Sequence, residues 1–127
     1  MKKKILIVIA DYYKDISPTL LSSAKTNLKN FSLKIIKVPG VFEIPVTISK
    51  NIKKYDAFIA LGCVIKGETP HFDFISSATT NSIMDLSVKN KKPIGNGIIT
   101  CLNKKQARAR KNKGKEAALA VVSILSQ

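Results

Sequence analysis

The chain has 127 residues, of which 45% are hydrophobic, and this combination excludes disordered and fibrous proteins. Its length fits one domain, residues 1–127, whose core can fold without metal or disulfide staples. The net charge is +14, and nearly all of the basic residues are lysines. The sequence has no aromatic signature of RNA binding. We therefore expect a solvated basic surface and no nucleic acid as the main partner.

The sequence also limits where the protein works. No apolar run is long enough to span a bilayer, and Asp11 interrupts the apolar run behind the N-terminal lysines. We expect a cytoplasmic protein with no membrane partner. Cys63 and Cys101 are expected to be free buried thiols, in preference to a disulfide or a catalytic thiol. No Cys/His cluster has the spacing of metal ligands, so no metal is expected.

Strand-like and helix-like segments alternate along the whole chain. Strict alternation predicts right-handed crossovers, and therefore an α/β fold with a parallel sheet between helix layers. Gly95 and Gly97 in the last strand indicate a close approach of another backbone. The predicted strands are 4–10, 33–38, 57–63 and 93–100; the predicted helices are 17–30, 42–51, 74–88, 104–110 and 116–125, with a break at 112–114.

Ligands of such sheets bind beyond the carboxyl ends of the strands. The residues that could carry chemistry do follow the predicted strands, so this edge is the expected site. The four segments are Asp11-Tyr12-Tyr13, Pro39 to Glu43, Val64 to His71, and Thr100 to Asn103.

The third segment, within GCVIKGETPHFDF, is the most informative and contains the only histidine. Thr69-Pro70 predicts a helix start, where free amides and the helix dipole attract anions such as phosphate. His71 could move protons there near neutral pH. Glu68 opposes an anion and would have to point away or be offset by Lys66 and a distant Arg. The alternative is that Thr69-Pro70 is only a helix cap and His71 a surface residue.

Four further residues allow two interpretations each. An exposed ring of Tyr12 or Tyr13 could stack on a planar heterocycle or simply pack against the protein. Glu43, set among apolar residues, could accept hydrogen bonds from a polyol, but capping of the next helix is the favoured interpretation. Arg110 is one of only two arginines and could hold phosphate as a bidentate fork, or could be a solvated helix residue.

Four segments together resemble the lumazine synthase family: VPGVFEIP, LGCVIKGETPHFDF, PIGNGIIT followed by Gln106 and Arg110, and NKGKEAA. The resemblance implies a flavodoxin-like three-layer α/β/α sandwich with a four-stranded parallel sheet. It also implies homopentamers, or multiples of them, with active sites between adjacent subunits. The implied enzyme of riboflavin biosynthesis condenses 5-amino-6-(D-ribitylamino)uracil with 3,4-dihydroxy-2-butanone 4-phosphate. The products are 6,7-dimethyl-8-ribityllumazine, phosphate and water, with no metal or organic cofactor.

The resemblance also implies roles for individual residues. His71 stands at the proton-transfer position, and Tyr12 stands where an aromatic ring stacks on the pyrimidine. The other implied contacts are Val41, Phe42 and Glu43 for the ribityl chain; Cys63, Val64 and Ile65 for the pyrimidine; Glu68 and Thr69 for the phosphate; and, from the neighbouring subunit, Asn96 for the pyrimidine and Arg110 for the phosphate.

Some positions depart from the family pattern. Asp11 replaces a common Arg, Tyr12 a common Phe, and Asn96 a frequent Phe, so an edge or hydrogen-bond contact replaces stacking at Asn96. Two related functions stay open: an archaeal-type riboflavin synthase, which dismutates two lumazines, and a non-catalytic lumazine- or flavin-binding protein. The GETPHFDF loop favours a phosphate substrate, and therefore the lumazine synthase reaction over both of these alternatives.

Overall fold

The computed structural model describes residues 2–127 and contains a four-stranded parallel sheet in the order β2-β1-β3-β4. A 3-10 turn at Val41–Glu43 precedes the second helix. The strands are β1 (Lys4–Ala10), β2 (Ser32–Val38), β3 (Ala57–Ile65) and β4 (Ile94–Cys101); the helices are α1 (Ser17–Lys25), α2 (Ile44–Lys50), α3 (His71–Asn90), α4 (Lys104–Ala109) and α5 (Lys113–Leu125).

Alternate residues of β1 belong to two different buried clusters, because successive side chains of a strand point to opposite faces. One cluster joins α1 and α5 to one face of the sheet, and it contains Ile5, Ile7 and Ile9. The other joins α2 and α3 to the opposite face, and it contains Leu6, Val8 and Ala10. The predicted three-layer α/β/α sandwich is therefore confirmed.

The glycines of β4 allow close packing on the α5 side of the sheet. A Cβ atom on Gly95 would lie 2.5 Å from the backbone oxygen of Ala117 in α5. A Cβ atom on Gly97 would lie 2.5 Å from Cδ2 of Leu61 in β3. Any side chain at these positions would push the helix or the neighbouring strand away, so the predicted close approach is confirmed.

Helix α3 begins at His71, directly after Pro70, so the helix start predicted at Thr69-Pro70 is confirmed and the apolar segment 74–88 covers only the later part of the helix. The Pro70 carbonyl accepts hydrogen bonds from the amides of Asp73 and Phe74, and these bonds form the first turn. The start of α5, by contrast, differs from the prediction. Helix α5 begins at Lys113, so Gly114 lies in its first turn and not in a break. The missing side chain of Gly114 allows α5 to contact the backbone of α1 at the Leu20 oxygen.

Helix α1 is also shorter than predicted. It ends at Lys25, and the chain continues through turns to β2. Leu28 is nevertheless buried in the α1 and α5 cluster, which explains why the apolar spacing resembled a longer helix. Both cysteines are free and buried, as predicted. Within residues 2–127, no helix is both long and apolar enough to cross a membrane.

Candidate active site

An open cavity of about 630 Å³ lies at the carboxyl edge of the sheet. Its walls come from the turn after β1, the 3-10 turn after β2, the end of β3 and the first turns of α3. Its lining residues are Tyr12, Tyr13, Pro39, Gly40, Val41, Phe42, Glu43, Cys63, Val64, Ile65, His71 and Ile75. The cavity therefore lies beyond the carboxyl ends of the strands, where a parallel sheet is expected to bind its ligand.

The 3-10 turn packs directly on β3 because Gly62 has no side chain. A Cβ atom there would lie 2.8 Å from Cγ2 of Val41 and 3.2 Å from Cβ of Ala10. Val41 is buried as a result, and it fixes the position of the two residues that follow it, Phe42 and Glu43. The shape of this wall thus depends on a glycine that does not itself line the cavity.

Cys63 lines the cavity from β3, where its surroundings disfavour the thiolate. Burial, together with the neighbouring Cys101 thiol, raises the pKa of Cys63 to about 12. A thiol needs its anion to act as a nucleophile, so Cys63 stays neutral near pH 7. The expectation of a non-catalytic buried thiol agrees with this environment.

Two tyrosines stand at one wall of the cavity. The Tyr12 ring is 69% exposed and meets the Tyr13 ring edge-on, with centroids 4.9 Å apart and planes at 76°. Tyr13 is half-buried against Cys63 and Cys101, and this burial raises the pKa of its hydroxyl. Tyr13 therefore supports the more exposed Tyr12 ring, which is available to a planar ligand.

Glu43 occupies the N-cap position of α2, yet its side chain makes no capping hydrogen bond. Capping was the favoured interpretation from the sequence, and it is wrong. Among residues 2–127, no side chain or backbone amide forms a hydrogen bond or ion pair with the Glu43 carboxylate. The carboxylate thus remains an open acceptor on the cavity wall, next to the exposed ring of Phe42.

The loop from β3 to α3 places His71 at the first position of a 20-residue helix. The side chain of His71 is exposed and lines the cavity. Its backbone amide donates to Oγ1 of Thr69 at 3.4 Å, a long contact, so Thr69 is only a weak cap and Pro70 holds the N-cap position. A helix start leaves its first amides without an intrahelical partner, and together with the helix dipole these amides can attract an anion.

Gly67 lies in this loop without a packing reason for being glycine. A Cβ atom at Gly67 would meet nothing within 4 Å, and no glycine of the described chain has positive φ. The backbone of Gly67 is therefore open to close approach from outside the chain. Two carboxylates lie nearby in sequence, Glu68 in the loop and Asp73 in the first helical turn, and both disfavour an anion.

Four of the predicted site residues do not line this cavity. Glu68 and Thr69 are exposed on the loop beside it. Asn96 lies on β4, exposed, and its Oδ1 accepts a hydrogen bond from the Ile98 amide at 3.1 Å. Arg110 follows α4 and lines a second cavity of about 450 Å³, with its Nη1 donating to the Thr100 carbonyl at 2.8 Å.

The structure also brings Ile75 to the cavity, a residue that lies outside the predicted ligand segments. Ile75 follows His71 by four residues, and this spacing puts both side chains on one face of α3. That spacing was visible in the sequence once the helix start was known. Pro39 and Gly40 belong to the turn after β2, which the sequence did indicate as a ligand segment.

The parallel sheet, the cavity at its carboxyl edge, and the histidine at a helix start define a flavodoxin-like α/β protein with a small-molecule site. Residues 2–127 match the family model described as 6,7-dimethyl-8-ribityllumazine synthase. The chain belongs to this family.

Several relatives are similar over almost the whole chain. The 6,7-dimethyl-8-ribityllumazine synthase of Bartonella bacilliformis is 44% identical, over 96% of this chain and 88% of the relative. The 6,7-dimethyl-8-ribityllumazine synthase 1 of Rhodopseudomonas palustris is 43% identical, over 96% and 83%. The Agrobacterium fabrum 6,7-dimethyl-8-ribityllumazine synthase is 41% identical, over 98% and 93%.

Proposed function

We propose that this chain, as one domain over residues 1–127, is a transferase of riboflavin biosynthesis. It condenses 5-amino-6-(D-ribitylamino)uracil with 3,4-dihydroxy-2-butanone 4-phosphate to give 6,7-dimethyl-8-ribityllumazine, phosphate and water. Family membership supports this reaction over the two alternatives, lumazine dismutation and binding without catalysis. The observation that carries the assignment within the molecule is the cavity that His71 shares with Tyr12 and Glu43.

Each wall of the cavity suits one part of the pyrimidine substrate. The exposed Tyr12 ring can stack on the flat heterocycle, and the end of β3 at Cys63, Val64 and Ile65 offers an apolar edge with backbone groups. The unpartnered Glu43 carboxylate can accept hydrogen bonds from the ribityl hydroxyls. Glu43 is half-buried and has no protein partner, so a ligand that displaces water from its carboxylate must itself supply hydrogen-bond donors, as the hydroxyls of a polyol do.

His71 is the residue we assign to proton transfer. The amine adds to the ketone and water leaves as the imine forms. Phosphate then departs, and the second amine closes the ring by adding to the remaining carbonyl, whose oxygen is lost as a second water. Protons must leave nitrogen and reach the departing oxygens in these steps, which a histidine can mediate near neutral pH. Its position at the cavity wall supports this role, since a general acid or base must lie within reach of the reacting atoms.

The loop that includes Gly67, Glu68 and Thr69 is the phosphate side of the proposed site. The helix start supplies amides and a favourable dipole, and Gly67 leaves its own backbone accessible. Glu68 and Asp73 weaken the attraction for an anion, so a cation must compensate. Arg110 is the side chain we assign to that task, with Lys66 as a nearby addition.

Arg110 and Asn96 do not line the first cavity of their own chain. Both are exposed, and β4, to which Asn96 belongs and which Arg110 contacts, is an edge strand of the sheet in the described residues. We therefore propose that they complete the site of an adjacent subunit, in a homopentamer or a multiple of it. A monomer would then lack the arginine that binds the phosphate and would be inactive. The two free buried thiols support a cytoplasmic enzyme, and the reaction as proposed needs no cofactor.

The reaction is tested by mixing the purified protein with both substrates and following lumazine absorbance against the uncatalysed background. Acceleration that requires both substrates is expected. A folded protein that gives no acceleration would contradict the proposal, and addition of lumazine alone would then test for dismutation.

The shared site is tested by complementation between two defective variants, His71→Ala and Arg110→Ala. In randomly mixed oligomers, about a quarter of the sites would combine an intact His71 with an intact neighbouring Arg110. Mixing after dissociation and reassembly should therefore restore activity well above that of either variant alone. If Arg110 acted within its own chain, no site in the mixture would be intact, and activity would not recover.

A further inference from the structure

The edge of the sheet opposite the active-site cavity is strongly basic. The segments that lead into the four strands are residues 2–4, 26–31, 51–56 and 91–93, and they meet at one edge because the strands are parallel. These segments contain eight lysines and a single acidic residue, Asp56. The lysines are Lys2, Lys3, Lys4, Lys29, Lys53, Lys54, Lys91 and Lys92. We call this surface the amino edge.

The hydrogen bonds hold these segments next to one another. The Lys3 carbonyl accepts from the Ser32 amide at 2.9 Å, and the Asp56 carboxylate accepts from the Lys4 amide at 2.7 Å. The Lys92 side chain reaches across to the Ile52 carbonyl at 2.7 Å. The lysines thus belong to one continuous surface, and all except Lys92 are exposed.

Helix dipoles explain only part of this charge. Four helices, α1, α2, α3 and α5, end at the amino edge. The dipole of each helix places about half a negative charge there. Their sum of about two charges is far below the excess of lysine over acid on the loops. Within residues 2–127, all three ion pairs lie elsewhere, at Asp11 and Asp15 near the active-site cavity.

The amino edge also cannot serve the catalytic cavity directly. It lies at the other end of strands that are seven to nine residues long, which is more than 20 Å away, beyond the screening length of salt at physiological strength. A basic surface that attracts anionic substrates to the active site would lie around the carboxyl edge. The excess charge therefore fits a different ligand.

We propose that the amino edge binds the phosphodiester backbone of nucleic acid, without sequence preference. Four neighbouring strands span about 15 Å, which matches about four phosphates along one strand. Lysine acts as a point charge toward phosphate, and the edge has no arginine to read base edges. This surface is separate from the proposed enzyme activity and does not depend on it.

Two other partners fit less well. An anionic membrane also attracts lysines, but stable anchoring takes a second, apolar signal. The exposed large hydrophobic residues nearest this edge, Val88 and Ile124, lie in opposite helix layers and form no such patch. An acidic protein would require exposed aromatic or arginine anchors at the centre of the surface. The edge-forming segments contain no arginine, and their two aromatic residues, Phe31 and Tyr55, are half-buried against the core clusters.

The test measures binding of a fluorescent single-stranded oligothymidine and of a mixed-sequence RNA by anisotropy, at several salt concentrations. The test variant is Lys53→Glu with Lys54→Glu, in the exposed turn before β3. The control is Lys105→Glu with Lys115→Glu, which changes the net charge equally on exposed helix positions away from the edge. Lumazine formation by each variant reports on correct folding.

Wild-type affinity should fall with salt at a logarithmic slope of about −3, which corresponds to about four phosphates. The test pair should weaken binding at least tenfold and should flatten the slope by about 1.4, whereas the control pair should change affinity less than threefold. An equal loss of affinity in the test pair and the control pair would overturn the proposal, since binding would then depend on the net charge of the protein and not on the amino edge. No binding at about 50 mM salt would also overturn it. Tighter binding to phosphatidylserine vesicles than to either oligonucleotide would assign the edge to membranes instead.

Discussion

Alanine at position 67 should strengthen the fold and weaken the enzyme. A methyl group at Gly67 meets nothing within 4 Å, and this residue does not need positive φ. The substitution removes backbone freedom from the unfolded chain, and such changes stabilise proteins by about 0.4–1 kcal/mol. The free energy of unfolding of Gly67→Ala should therefore equal or exceed that of the wild type.

The same methyl group would occupy the space through which phosphate approaches the loop. Loss of one hydrogen bond to a charged group costs about 1.5–3 kcal/mol. The KM for the butanone phosphate should therefore rise roughly tenfold to a hundredfold, because 1.4 kcal/mol corresponds to a factor of ten. The KM for the pyrimidine should change little, since its proposed contacts lie on other walls of the cavity.

The matched control is Gly62→Ala, five residues earlier. There the new methyl group would lie 2.8 Å from Cγ2 of Val41, so the fold should lose about 1–3 kcal/mol. Urea denaturation gives both stabilities, and initial rates at varied concentrations of each substrate give the KM values. The reasoning is refuted if Gly67→Ala binds the phosphate substrate normally, or if it destabilises the protein as Gly62→Ala does.

Three further predictions concern single side chains. His71→Ala should lower kcat about 10- to 1000-fold, and a decrease smaller than twofold would remove proton transfer by His71 from the mechanism. Arg110→Ala should mainly raise the KM for the butanone phosphate, and unchanged kinetics would exclude it from the site. Cys63 should react with iodoacetamide at pH 8 at least tenfold more slowly in the folded than in the unfolded protein, because its thiol is the neutral form there. Since the folded pKa is raised from 9.0 to about 12, its contribution to stability should be full below pH 9 and be lost as pH rises toward 12, as measured by denaturation of the wild type against Cys63→Ala.

The sequence predicted the layers of this fold well because the strands are strongly apolar. The prediction for β1 agrees with the structure at both ends, since Lys4 and Asp11 flank an unbroken apolar run. The predicted start of α5 was wrong because glycine is a poor helix former, at a cost of about 1 kcal/mol. In the structure, close packing of Gly114 on α1 outweighs that cost. Local propensity cannot report a contact between two helices that are distant in the chain.

In the candidate site, too, some features could be predicted from the sequence and others depend on packing. The segments after the strands were predictable from topology, and most of the residues expected from them do line the cavity. The free carboxylate of Glu43 was not predictable, because only the geometry of the 3-10 turn shows that it misses the amides of α2. The place of Arg110 away from the cavity was equally invisible in the residues themselves, since it depends on how α4 lies against β4.

Because all four strands run in one direction, the molecule has two chemically distinct ends. Lysines at the amino edge change the surface charge at a distance from the cavity, whose walls depend on Gly62 and the buried strands. The two ends can therefore evolve separately. Such an arrangement lets a chain accumulate lysine far from its catalytic residues, and gain or lose a surface partner, while the enzyme itself stays the same.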